Sequence, residues 1–309
     1  MRTGRASALT DTGRRRPQNE DTFVCDPPLF AVADGVGGAQ AGEIASRLAA
    51  AALEERPPDA QGEETVAALL REANDRIYGR ALEDPEAAGM GTVVTVLLVD
   101  EAAGTVAIGH VGDSRAYLLR DGKLEQLTPD HSLVGELVRA GRLSVEEAEQ
   151  HPHRSVITRA VGTEPTVEVD TFTLTVAPGD VYLICSDGLT DLVRDEQIAE
   201  LIVAADNDPE AAAEALVVAA NLAGGIDNIT VVLFEILDGD PPPAPDPTVE
   251  PDEDTMEQAL ESPLAEPLVV PAAPVQRHGA GSGGRWLALL SIVLTIVVAA
   301  LVVWWSLNR

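Results

Sequence analysis

Two cysteines in 309 residues cannot frame a fold, which excludes a disulfide-stapled extracellular miniprotein and suits a reducing compartment. Basic residues are also scarce. Lys and Arg number 21 against 51 Asp and Glu, a net charge of -30, and an acidic surface repels phosphate backbones, so nucleic-acid binding is disfavoured. Lys123 is the one lysine. The glycine-rich stretch 35–42 therefore lacks the Gly-Lys-Ser/Thr ending of an ATP-binding P-loop. The first 25 residues carry five Arg and no apolar run, so no signal peptide is expected there. No repeat of fixed period runs through the chain.

What is present divides the chain into four parts. The length suits one domain of roughly 200–250 residues with appendages, and the composition changes after residue 237. Ten of the 21 prolines fall within residues 238–285 together with a GAGSGG run, the composition of an extended acidic linker. Residues 286–306 then run 21 positions without a charge, enough to cross a bilayer as one helix. Trp286, Trp304 and Trp305 bound that stretch; Arg277 and Arg285 precede it and Arg309 follows, in a short tail of residues 307–309. This bias predicts a single-pass anchor in the cell membrane with residues 1–237 in the cytoplasm.

Within 1–237, short β-rich runs alternate with turn signals at residues 30–33, 92–99, 105–111, 116–119, 171–176, 181–186 and 229–234. Asp121-Gly122 between two apolar runs predicts a hairpin, and connections this short require antiparallel pairing. Helical spacing is expected at 40–54, 63–82, 144–149 and 209–222. The fold class is α+β: a four-layer αββα sandwich with two central antiparallel sheets and helices packed outside, followed by the C-terminal transmembrane helix.

Acidic motifs recur at the strand-to-turn junctions: Glu20-Asp21, Asp34-Gly35, Asp113, Asp187-Gly188 and Asp227. Any one Asp-Gly reads equally as an ordinary turn. Carboxylates that converge in a low dielectric, however, repel one another and protonate unless a cation neutralises them. All-oxygen ligation without Cys or clustered His favours magnesium or manganese over zinc. His151 and His153, split by Pro152 and lacking a third partner, read as a turn.

In order along the chain stand Arg16-x-x-Asn19-Glu20-Asp21, ADGVGG at 33–38, GMGTVVT at 89–95, GHVGDSRAYL at 109–118, LTPDHS at 127–132, HPHRS at 151–155, CSDGLTD at 185–191 and DNIT at 227–230. This series resembles the metal-dependent protein phosphatases of the PPM, or protein phosphatase 2C, family, most of all the bacterial Ser/Thr phosphatases paired with membrane kinases. The resemblance implies two Mn2+ or Mg2+ ions and a third, weaker position. Asp34 would bridge both metals, the Gly35 carbonyl would serve the first, and Asp187 and Asp227 the second. Glu20 and Asp21 would act on the metals directly or through water, and Asp113 and Ser155 would hold the third ion with Asp187. Arg16 would bind the phosphate, and a metal-bridging hydroxide would attack phosphorus without a phosphoenzyme.

Several further expectations attach to the resemblance. Val36 stands where eukaryotic members often carry a His proposed as general acid, leaving His110 and His131 as candidates, although a structural role suits each better. Cys185 reads as a buried strand residue, and residues 132–150 as the family's mobile flap. The implied partners are proteins phosphorylated on Ser or Thr, including a transmembrane Ser/Thr kinase. Two alternatives remain: a silent phosphoprotein-binding scaffold of the same fold, or a stress-response phosphatase acting on anti-sigma antagonists.

Overall fold

The computed structural model describes residues 1–37, 41–144, 147–148 and 150–239. The linker from residue 240 on, the 286–306 segment and the tail lie outside the described residues, as does part of the helix expected at 144–149. Among the described residues no helix is long and apolar enough to cross a membrane.

Among the described residues ten strands form two five-stranded antiparallel sheets. The first sheet has the order β1 (Arg2–Asp11), β10 (Ile229–Leu237), β9 (Val181–Cys185), β6 (Arg115–Arg120), β7 (Lys123–Gln126). The second runs β2 (Thr22–Asp26), β3 (Leu29–Val36), β4 (Gly91–Asp100), β5 (Thr105–Val111), β8 (Asp170–Thr175). Helices α1 (Ala41–Glu54) and α2 (Gly62–Glu83) join β3 to β4, and α3 (Leu133–Arg139) follows β7. Between β9 and β10 lie α4 (Asp187–Thr190), α5 (Asp195–Ala204) and α6 (Pro209–Ala223).

Strand periodicity explains the layering. In β3, Leu29, Ala31 and Ala33 pack with Ala45, Ala49 and Leu53 of α1, whereas Phe30 and Val32 point between the sheets. There Phe30 stacks on Phe234 at 4.0 Å, and Tyr182 on Phe234 at 5.0 Å. A third core joins Leu183, Cys185 and Val231 to Ile198, Ile202 and Leu216 of α5 and α6. Three apolar interfaces therefore separate four layers. Strand β4 is buried at nine successive positions because both its faces are covered, so it reads as a continuous apolar run rather than an alternating one.

The antiparallel register brings one end of every relevant strand to a common rim. Thr22 pairs with Ala33, Val111 with Val94, Arg115 and Val231 both with Cys185, and Asp11 with Ile229. Each acidic motif expected from the sequence flanks one of these rim-side ends.

Candidate active site

Asp34 lies inside β3, two residues before its end, and its backbone carbonyl accepts from Thr92 Oγ1 at 2.7 Å. Gly35 continues the strand. Its use here is close packing rather than a sharp turn, for a Cβ at Gly35 would stand 2.3 Å from the Gly42 carbonyl oxygen and 2.7 Å from that of Glu20. Gly188 is likewise pressed against Asn228, whose carbonyl oxygen would lie 1.9 Å from an added Cβ. Neither glycine has a positive φ: Gly35 lies within β3 and Gly188 within the single turn of α4.

Asp21, 8% exposed, turns Oδ2 toward two hydroxyl donors, Ser186 at 2.8 Å and Thr230 at 2.7 Å. Its Oδ1 is buried without a partner, and an orphaned carboxylate oxygen in such a setting costs free energy. Burial pushes the Asp21 carboxyl up to about 6 against those hydroxyl donors. Burial also holds Asp34 well above the usual carboxylate range, and the negative charges of Asp21, Asp187, Asp113 and Asp227 add to it. Asp187 is raised in the same way, by burial and then by Asp113, Asp227, Asp191 and Asp21. Asp113 rises to about 6, through burial first and Asp130 second.

Five aspartates from five segments thus share one electrostatic neighbourhood. Glu20 stands at its margin, raised by burial although Arg16 draws it down. Among the described residues no three His, Cys, Asp or Glu side chains are arranged to hold a metal ion as they stand. Two of the oxygens already have partners: Asp227 Oδ2 accepts from Arg16 Nη2 at 2.6 Å, and Asp21 Oδ2 from its hydroxyls. The donor set nevertheless fits a hard divalent cation. It is all oxygen, it contains an unpartnered carboxylate oxygen, and burial together with neighbouring negative charge drives Asp34 and Asp187 toward protonation.

Arg16 is half-exposed and meets Asp227, with Glu20 and Asp187 adding to the stabilisation of its charge. Its loop is packed onto the turn before β10: Arg14 N donates to the Gly225 carbonyl at 2.7 Å, and Gly13 (φ 74°) leaves no room for a Cβ beside the Asp227 carbonyl. Ser155 is exposed and forms no hydrogen bond to the acidic cluster. Arg154 does reach it electrostatically, lowering the carboxyl of Asp191 against the rise from burial.

Two residues carry more of the site than their motifs indicated. Asn228, 4% exposed, accepts from Glu20 N at 2.8 Å and donates to the carbonyls of Thr12 at 3.0 Å and Gln18 at 2.9 Å. It fastens both ends of the Arg16 loop beside Asp227. An Asn immediately after a strand-edge Asp was the available signal. Asn228→Ala removes three hydrogen bonds to backbone groups, each worth about 1 kcal/mol. A stability loss of about 2–4 kcal/mol is expected in denaturant unfolding, with a raised KM for a phosphate ester. The other residue is Asp191, whose charge raises both Asp113 and Asp187.

The remaining sequence expectations resolve as follows. Cys185 is fully buried, its thiol pushed up to about 12 by burial, and it is no nucleophile. His110 is fully buried between Thr95 Oγ1 and the Pro129 carbonyl, and burial depresses it to about 4. His131 is also buried and committed to Gly112 and Asp170. Neither imidazole is free to protonate a leaving group at the rim. His151 and His153 occupy a turn with ring centroids 5.7 Å apart.

A sequence model described as Protein phosphatase 2C matches residues 19–219. The serine/threonine protein phosphatase PstP of Mycobacterium tuberculosis is 42% identical over 241 residues, covering 76% of this chain but only 46% of that relative. The serine/threonine phosphatase stp of Listeria monocytogenes is 39% identical over 247 residues, covering 74% of this chain and 95% of the other. The crystal structure of the PstP catalytic domain in complex with two manganese ions superposes with a TM-score of 0.69 at 39% identity, covering 76% of this chain and 98% of that one.

Proposed function

The chain belongs to the protein phosphatase 2C family, and from that premise we propose that it hydrolyses phosphoserine and phosphothreonine in cytoplasmic proteins, with manganese or magnesium as cofactor. The observation that carries the reading is the meeting of Asp21, Asp34, Asp113, Asp187 and Asp227 at one rim beside Arg16. The two manganese ions bound by the PstP catalytic domain support the choice of cofactor.

In this reading Asp34 and the Gly35 carbonyl would hold one ion, and Asp34, Asp187 and Asp227 the other. Glu20 and Asp21 contribute directly or through water, and Asp113, Ser155 and Asp187 form a third, weaker position. Bound there, the cations lower the pKa of water and offset charge on the phosphoryl oxygens. Arg16 supplies a planar fork for two phosphate oxygens, oriented by Asp227 at one nitrogen while the half-exposed remainder faces solvent. Asn228 keeps that loop from drifting. With both imidazoles committed elsewhere, the leaving alkoxide takes its proton from water at the open rim.

The apolar 286–306 segment is proposed as a single membrane span that keeps the catalytic domain at the cytoplasmic face. Sharing a bilayer with a transmembrane Ser/Thr kinase would raise the effective concentration of that partner without new contacts. Protease added to intact cells should leave residues 1–237 uncut, and digestion would reverse the orientation. For the activity, the full chain is assayed on para-nitrophenyl phosphate with and without Mn2+. Metal-dependent release of nitrophenol is expected; its absence would leave a phosphoprotein-binding scaffold.

A further inference from the structure

His131, 3% exposed, occupies the junction of three segments: the turn after β5 that carries Asp113, the start of α3, and the first residue of β8. It grips Gly112 from both sides. The His131 backbone N donates to the Gly112 carbonyl at 2.7 Å, and Gly112 N donates to His131 Nδ1 at 3.0 Å. Because Nδ1 accepts, the ring proton is placed on Nε2, which faces Asp170 Oδ2 at 3.1 Å, with Arg159 Nη1 farther off at 3.4 Å. Asp170 Oδ1 in turn accepts from Arg159 Nη1 at 2.6 Å. Gly112 has φ 114°, and a Cβ there would stand 2.1 Å from Val93 Cβ, so only glycine fits this position.

The same residue ties this turn to the segment that follows. The His131 carbonyl accepts from Thr158 N at 2.8 Å, Ser132 bridges to Ile157, and Ser132 Oγ caps α3 through Gly135 N at 3.1 Å. His110 lies against the ring with centroids 4.6 Å apart and holds the preceding Pro129 carbonyl at 3.0 Å. We propose that His131 is a positioning residue for the hydrolysis: its Nδ1 lone pair, facing the Gly112 amide, fixes the direction from which Asp113 enters the carboxylate cluster. Its Nε2–H anchors that turn to the Asp170–Arg159 pair. The inference rests on the reading of Asp113 as a metal ligand. Hydrogen bonds that orient a ligand from behind typically change metal affinity or activity by about 10–100-fold when lost.

Two conservative variants separate this role from plain core support. In His131→Asn the amide oxygen can replace Nδ1 as the acceptor for Gly112, whereas in His131→Gln the amide nitrogen can replace Nε2 as the donor to Asp170 but the Gly112 acceptor is lost. Mn2+ uptake by calorimetry, kcat and KM on para-nitrophenyl phosphate, and melting temperature are measured for both and for His131→Leu. The Asn variant is expected to recover most of the turnover and the Mn2+ affinity. Gln and Leu should lose about 10-fold or more in each, with KM little changed. If Leu fails to fold, the Asn–Gln pair decides. Equal losses in Asn and Gln that follow melting temperature, or Mn2+ uptake unaltered in every variant, would overturn the inference alone. A wild-type chain without Mn2+-dependent turnover would overturn both it and the phosphatase reading.

Discussion

Asp187→Asn should abolish most metal-dependent turnover, by on the order of 10²–10³-fold, and yet raise the melting temperature of the metal-free protein. The two effects share one cause. Burial and the charges of Asp113, Asp227, Asp191 and Asp21 hold the Asp187 carboxyl well above its usual range, so the fold favours its protonated form. A carboxyl raised in this way contributes stability that is present below its unfolded value near 4 and is lost as pH rises through the folded one. Asparagine resembles the neutral form at every pH. At neutral pH the metal-free variant should therefore melt higher, by about 2–4 °C for each kcal/mol regained. Cations stabilise the wild type by binding the ionised form, and most of that gain should vanish in the variant. Protons compete for the same oxygens, with Asp21 and Asp113 both near 6, so Mn2+-induced stabilisation of the wild type should be larger at pH 7.5 than at pH 5. Scanning calorimetry with and without Mn2+, beside turnover on para-nitrophenyl phosphate, checks each statement. A variant that keeps its Mn2+-dependent rate would remove Asp187 from the site.

Arg16→Ala is expected to lower kcat/KM for a phosphothreonine peptide by about 10–100-fold, since hydrogen bonds to a charged partner contribute about 1.5–3 kcal/mol. Folding should be little affected. The side chain is half-exposed, and its pairing with Asp227 is partly open to solvent, where ion pairs add little to stability. Arg16→Lys should restore the charge but not the fork, and with it only part of the loss. Arg14 and Arg15 precede it, and in the sequence only the motif spacing to Glu20 singles out Arg16. The loop agrees with that choice: Arg14 Nε is bound to the Asn221 carbonyl at 2.9 Å, while Arg16 reaches Asp227. Unchanged KM and kcat in Arg16→Ala would assign the phosphate contact elsewhere.

The strands visible in the sequence were those whose apolar runs are buried, above all β4, β5, β9 and β10, and three of the four expected helices lie within about two residues of their bounds. Strand β1 was not legible. It is an edge strand with Arg2, Gly4 and Arg5 in its first half and no fully buried position, and it is defined by pairing with β10 more than 200 residues away. Strand β2 has five residues with one fully buried, too few to show a period. Helix α5 buries only Ile198 and Ile202, one turn of stripe set among acids. At the site, the acidic residues announced themselves through strand-edge placement. Asn228 and His131 stood within the motifs, but their partners did not show: the carbonyls of Thr12 and Gln18 and the amide of Gly112 lie on other segments, which residue type and spacing do not encode.

Crystals grown with Mn2+ and measured for anomalous scattering test the central claim most directly. Two strong peaks are predicted among Asp34, Asp187 and Asp227, with Arg16 turned toward the adjoining solvent. Clear density for these side chains with no anomalous peak between them would contradict the account.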